Sequence, residues 1–272
     1  MPAPLLVLTD FTPAADAALR YAAALAAVLH VPLVLLHVNR NSVFDPETFT
    51  GKIPHRSEGE IAVALNERVQ NMPVPVIPAL TAGRSTRAIR EVVEQHRPAL
   101  LILGRPSVAE LPDELVSTTS LDLLAELQYP LLIVPAGTAP QVPQRIALAA
   151  DGNPFQLAAP ARAVPEVLGT LRAAVTVVHV AEPEDDDSCR PSLVSVQQAG
   201  LLTDGQNPVS THGTRHLDVP RGIEQAMQAT RAELLVLIAR RHNVLGRLFH
   251  RSVTAQMIRQ AQLPVLVLPT TG

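Results

Sequence analysis

The segment Leu100 to Ser120, "LLILGRPSVAELPDELVSTTS", leaves an apolar run through Gly104 and reaches hydroxyl residues ahead of a helix-like stretch. A glycine lets backbone approach a ligand closely, and a helix N-terminus offers N–H groups and a favourable dipole. The order strand, glycine, hydroxyl, helix therefore suits a phosphate. Asp10 closes an earlier apolar run, "PLLVLTD", at a strand end. Asp151 closes a matching run, "RIALAAD". Both aspartates also have a purely local reading, since an Asp after a strand can cap the next turn. His37 and His179 stand at strand ends, where a hydrogen-bonded structural imidazole is the commoner case, and neither is assigned a catalytic role.

The segment "ARRHNVLGRLFHRS", Ala239 to Ser252, carries Arg240, Arg241, Arg247 and Arg251 with His242 and His250. Two readings stay open: capture of an anion by charge, or a solvated or interface loop. Other chemistry has no motif here. The sequence holds no G-x-S-x-G, no G-x-x-x-x-G-K-[ST], no G-x-G-x-x-G and no H-E-x-x-H, so hydrolase, P-loop and dinucleotide-dependent dehydrogenase readings fall away. Cys189 is the single cysteine, which excludes an internal disulfide and a Cys-pair zinc site. Its acidic neighbours Asp185, Asp186 and Asp187 favour the neutral thiol over a redox centre.

The chain has 272 residues, a net charge of −3 and 17% charged residues. That balance gives no basic stripe for nucleic acid. Its start lacks the basic flank and small-residue cleavage site of a secretory signal. Pro32 splits the uncharged stretch Tyr21 to Val38 into an Ala-rich helix and a strand, so no membrane span is expected and the protein is read as cytoplasmic. Two inserts, Asn39 to Ser57 and the acidic "EPEDDDSCRPS" at Glu182 to Ser192, read as surface disorder or as partner contacts.

Positioning these residues is the task of elements written twice. "PLVLLHV" ending at Val38 matches "AVTVVHV" ending at Val180; "PALLILG" ending at Gly104 matches "AELLVLI" ending at Ile238; "PLLIVP" matches "PVLVLP". Such a repeat implies duplicated units. The runs are continuously apolar, as in parallel strands covered on both faces. Thr12 and Pro13 read as N-cap and first helical residue, with Ala15, Leu19, Ala22, Ala26 and Leu29 on one face. Arg84 to His96 and Val219 to Thr230 read as the helices before the fourth strands. Pro160 and Pro165 shorten the first helix of the second half. Third strands are expected near Val74 to Leu80 and His212 to Leu217. The fold class is α/β, with two tandem Rossmann-like domains at 1–138 and 145–272 and a Pro-rich linker, "APQVPQ", between them. Ligands are expected beyond the carboxyl ends of the strands.

The strand-closing aspartates, the "HV" closing the second strand of each half, the spacing after the fourth strand and the terminal "PLLIVP" and "PVLVLP" runs together resemble the universal stress protein family in tandem two-domain form. The resemblance implies the HUP-type strand order 3-2-1-4-5. It also implies a G-x2-G-x9-G-[ST] phosphate loop and ATP or AMP held by Asp10, Val38, Gly104, Ser107, Ser117 and Thr118. Ser107 and Ser117 stand where that motif has glycine, and both resist positive φ. Glu110, Asp113 and Glu114 add a field that opposes a triphosphate. Thr119 and Asp122 fit a capping box. In the second half Ile238, Arg241 and Arg251 replace the glycines, and Ser252 takes the hydroxyl position.

The resulting expectation is a non-catalytic stress-response protein with degenerate nucleotide loops, needing no cofactor; the alternative is an ATP or AMP sensor using the first domain. Its partners would be its own other half, paired through the fifth strands, a second copy of the chain, or an unnamed protein. Nucleic acid and membrane are not among them.

Overall fold

The computed structural model describes residues 3–39, 57–70, 72–82, 85–106, 123–124, 126–202, 205, 207–240 and 252–271. The first half runs β1 (Leu5–Leu8), α1 (Pro13–Leu29), β2 (Leu33–Asn39), α2 (Glu58–Val69), β3 (Val76–Ala82), α3 (Ser85–His96), β4 (Leu100–Arg105) and β5 (Leu131–Pro135). The second begins with β6 (Arg145–Ala149), β7 (Gln156–Leu157), a 3-10 turn (Ala159–Ala163), α4 (Val164–Leu171), β8 (Ala174–Ala181) and α5 (Arg190–Gln198). It continues with β9 (Val209–Arg215), α6 (Val219–Thr230), β10 (Leu234–Ala239), α7 (Val253–Gln260) and β11 (Val265–Thr271).

Local signals fix several boundaries. Thr12 Oγ1 accepts from Ala15 N at 3.3 Å, with Pro13 opening α1 as expected. Ser57 and Glu60 close a capping box at α2, each side chain accepting from the other's backbone. Pro160 and Pro165 do shorten the first helix of the second half, which starts as a 3-10 turn and becomes α4 only at Val164.

One sheet crosses the whole molecule in the order β3-β2-β1-β4-β5-β11-β10-β6-β8-β9, so each half has the order 3-2-1-4-5. All pairings within that path are parallel except the seam, where β5 and β11 run antiparallel with Ile133 opposite Val265 and Leu131 opposite Val267. β7 adds a short antiparallel pairing to the end of β11. Both core layers continue across the seam. Leu5, Leu33 and α1 share one layer with Leu132, Val134, Leu266 and Leu268. Leu6, Val34 and Leu101 share the other with Ile133, Val265 and Val267. The fifth strands therefore bury their apolar edges against each other.

Arg105, only 4% exposed, reinforces the seam. It donates to Arg259 O at 2.6 Å and Ala261 O at 2.5 Å, so a residue after Gly104 satisfies carbonyls at the carboxyl end of α7. A cation there also complements the helix dipole. Glu233 holds the end of the linker by accepting from Gln144 N at 2.6 Å and from the Arg145 side chain.

The outer strands start elsewhere than expected, at Val76 and Val209. Both are edge strands with half-exposed side chains, so register with the neighbouring strand sets their limits. Each edge is blunted. Leu33 N donates to Pro75 O at 2.9 Å, and that register turns the nitrogen of Pro78 outward, where it has no hydrogen to give. On β9, the backbone of Asp187 lies against Gly213, where a Cβ would fall 2.2 Å from Asp187 O.

Candidate functional site

The strand ends of the first half carry Asp10, Val38 and Gly104. Ser107, Ser117 and Thr118, together with the Thr119–Asp122 capping box, lie outside the described residues. Asp10 Oδ1 accepts from Thr12 N at 3.0 Å and from Thr12 Oγ1 at 2.6 Å, so the turn-capping reading holds for this oxygen. Val38 is half-buried against the second core layer. A Cβ built on Gly104 would lie 2.2 Å from Ala14 O and 2.6 Å from Ala15 N, so this glycine admits the first turn of α1 onto β4.

Phe11, which the sequence did not single out, has φ 65°, the left-handed region that bulky residues avoid. Compensating contacts surround it. Its ring stacks on His37 with centroids 4.4 Å apart, and the Arg68 guanidinium lies 4.9 Å from the ring centroid. Arg68 also forks onto Asp16 at 2.6 and 3.2 Å. His37 donates from Nδ1 to Thr9 O at 2.8 Å, which fits its assignment as a strand-end structural group. Beside Val38, the Nδ2 of buried Asn39 has no hydrogen-bond partner.

The second half is built differently at the matching places. Arg240 forks onto Asp151, with Nε 2.9 Å from Oδ2 and one terminal nitrogen 2.7 Å from Oδ1. It further donates to Asn153 O at 2.8 Å and Pro154 O at 3.0 Å. Arg240 is thus neither a solvated charge nor a waiting anion receptor; the loop ahead, residues 241–251, lies outside the described residues. Partial burial acts to raise the Asp151 carboxyl, but hydrogen bonds from Arg240 and Asn153 outweigh it and the pKa falls below its usual 3.8. Ser252, at the motif's hydroxyl position, caps α7 by accepting from Ala255 N at 3.1 Å. His179 Nδ1 lies 3.3 Å from Ala150 O and 3.1 Å from Ser192 Oγ, again a structural role.

The acidic insert of this half is part of the fold, contrary to the expectation of disorder. Asp187 pairs with Arg215 at 3.3 Å, Asp186 Oδ1 accepts from Ser188 N at 3.1 Å, and Cys189 is buried ahead of α5. Burial pushes the Cys189 thiol up and Asp187 adds to it, against backbone hydrogen bonds from His179 and His212. An open cleft of about 520 Å³ lies here, lined by His179, Asp186, Ser188, Arg190, Pro191 and Val194. Among the described residues no group of three or more His, Cys, Asp or Glu could hold a metal, and no helix is long and apolar enough to cross a membrane.

A sequence profile described as "Universal stress protein family" matches residues 1–135 and again 143–269. No curated protein matches. Among solved structures, a universal stress protein from Archaeoglobus fulgidus DSM 4304 superimposes with TM-score 0.69 at 15% identity, covering 98% of this chain and 96% of its own. A functionally unknown protein from Pseudomonas aeruginosa PAO1 follows with TM-score 0.53 at 14% identity, covering 98% of this chain and 92% of its own. At these identities the likeness is one of fold.

Proposed function

The chain belongs to the universal stress protein family, and we propose that it is a non-catalytic, cytoplasmic member whose domains, 1–138 and 145–272, form an internal pseudo-dimer in which the second domain binds no nucleotide. Arg240 carries the reading. It forks onto the Asp151 carboxylate and donates to two neighbouring carbonyls, so both oxygens that would receive a ribose already accept from an arginine. Any adenine nucleotide is then limited to the first domain, with Asp10, Val38, Gly104, Ser107, Ser117 and Thr118 as its contacts. The degenerate loop and its acidic residues weaken binding of a triphosphate most.

The second reading, an ATP or AMP sensor, is favoured by one observation: both hydrogen bonds accepted by Asp10 fall on Oδ1, and Oδ2 accepts none from the described residues. Titration calorimetry with ATP plus magnesium and with AMP tests both readings. The first reading expects no more than one nucleotide per chain, and two per chain would overturn it. Micromolar ATP binding lost in Asp10→Ala would favour the sensor. ATP turnover that survives repurification and disappears in Thr118→Ala would refute the non-catalytic reading.

A further inference from the structure

The two halves treat their strand-end histidines differently. In the first, the Phe11 ring stacks on His37 with centroids 4.4 Å apart. In the second, His179 holds the matching place in β8, but Gly152 stands where the repeat puts Phe11, and no ring of a described residue lies on the imidazole. His179 instead borders the cleft of about 520 Å³ that Asp186, Ser188, Arg190, Pro191 and Val194 also line. The imidazole is held still. Ser192 Oγ donates to Ala150 O at 2.9 Å, and His179 Nδ1 lies 3.1 Å from that hydroxyl and 3.3 Å from that carbonyl. Both can accept from Nδ1, which fixes the ring as a flat platform at the strand end.

The charges around this platform select one kind of ligand. Arg190 and Asp186 both line the cleft, and among the described residues neither enters an ion pair. Asp186 Oδ1 accepts from Ser188 N at 3.1 Å, and Oδ2 accepts from no described residue. Arg190 engages only its backbone N, 3.4 Å from Ser188 Oγ, and its guanidinium has no partner among the described residues. The wall that carries them is built into the fold: Asp187 pairs with Arg215, the Asp187 carbonyl lies against Gly213, and Cys189 is buried. An anion alone would meet Asp186, and a cation alone would meet Arg190. A zwitterion suits both, with a carboxylate forked onto the guanidinium and an ammonium donating to Asp186. Val194, 40% exposed, and Pro191 add apolar surface beside the imidazole. A flat ring on the ligand can therefore give His179 the stack that Phe11 gives His37.

We propose that this cleft binds an aromatic α-amino acid, its carboxylate on Arg190, its ammonium on Asp186 and its ring against His179. None of these contacts depends on nucleotide binding in the first domain. Calorimetry on the full chain with phenylalanine, 3-phenylpropionate, 2-phenylethylamine, alanine and AMP tests it, in wild type, Arg190→Gln and Asp186→Asn. Phenylalanine is expected to bind most tightly. Arg190→Gln should weaken phenylalanine and 3-phenylpropionate by about fivefold, the worth of one partly exposed ion pair, and leave 2-phenylethylamine unchanged. Asp186→Asn should weaken phenylalanine and 2-phenylethylamine to the same degree and leave 3-phenylpropionate unchanged. Both variants sit on exposed side chains, and asparagine keeps an oxygen for Ser188 N, so the fold is retained. No phenylalanine binding by wild type, or binding undiminished in both variants, overturns the proposal. Alanine bound as tightly as phenylalanine overturns the part given to His179. AMP binding that Arg190→Gln abolishes overturns both the ligand class and the reading that the second domain binds no nucleotide.

Discussion

Gly104 lets the first turn of α1 settle on β4, whereas at the matching place in β10 Ile238 packs its side chain into the same core layer. The second half makes room by starting its helix late: a 3-10 turn precedes α4, and no helix turn is needed where the isoleucine lies. Glycine and early helix start form one packing unit, and isoleucine with delayed start forms another. A glycine after the fourth strand thus reports how a helix is seated before it reports a ligand, and its absence from one copy is first of all a repacking.

Exchanging members between the units is the strongest way to break this comparison. Gly104→Ile places a branched side chain where even a Cβ falls 2.2 Å from the Ala14 carbonyl oxygen. Overpacking against backbone of this kind is expected to cost about 3 kcal/mol or more, read from denaturant unfolding. Unchanged stability would mean that α1 can retreat freely and that the two units are not exclusive.

Arg105→Met comes next. It removes the donors that satisfy Arg259 O and Ala261 O, and a loss of about 2–3 kcal/mol is expected in the same assay. A neutral result would show that the seam holds through its apolar strands alone.

Arg240→Ala sharpens the contrast between the clefts at a smaller energetic effect. Asp151 is half exposed, so solvent screening limits the loss to about 1 kcal/mol. The folded pKa of Asp151 is depressed, so the contribution is present above 3.8 and is lost as pH falls through the folded value. The gap between wild type and variant in chemical unfolding should therefore close on the acid side of 3.8. A gap that stays constant would exclude the carboxylate as Arg240's main partner.

Phe11→Gly gives the least effect, because it copies Gly152, which has φ 82° at the matching turn. Relief of about 1–2 kcal/mol of left-handed strain opposes loss of the His37 stack and the Arg68 contact, about 0.5–1.5 and 0.5–1 kcal/mol. The expected melting temperature is close to that of wild type. A marked drop would identify the stack as the element that organises the β1–α1 turn.

The sequence made the repeat, the inner strands and the start of α1 legible, because apolar runs and the Thr12–Pro13 pair act locally; the strand order came from the family resemblance. Val219–Thr230 appears with the limits its pattern suggests. The edge strands shifted, since β3 and β9 take their register from a neighbour rather than from an apolar run of their own. At the site, Asp10 and Gly104 were visible as residue types, but the packing duty of Gly104 depends on where α1 lands. Arg240 was one arginine among several, and its partner Asp151 is 89 residues away in sequence. Asn39 carries no motif; only its burial without a partner distinguishes it.

The seam between Leu131–Ile133 and Val265–Val267 joins two copies encoded separately on one chain. In an association of identical subunits about a twofold axis, every substitution is installed twice, so a change that shuts one pocket shuts both. Fusion lifts that obligation. The two copies are free to differ, and Arg240 stands in the second where the repeat puts Pro106 in the first.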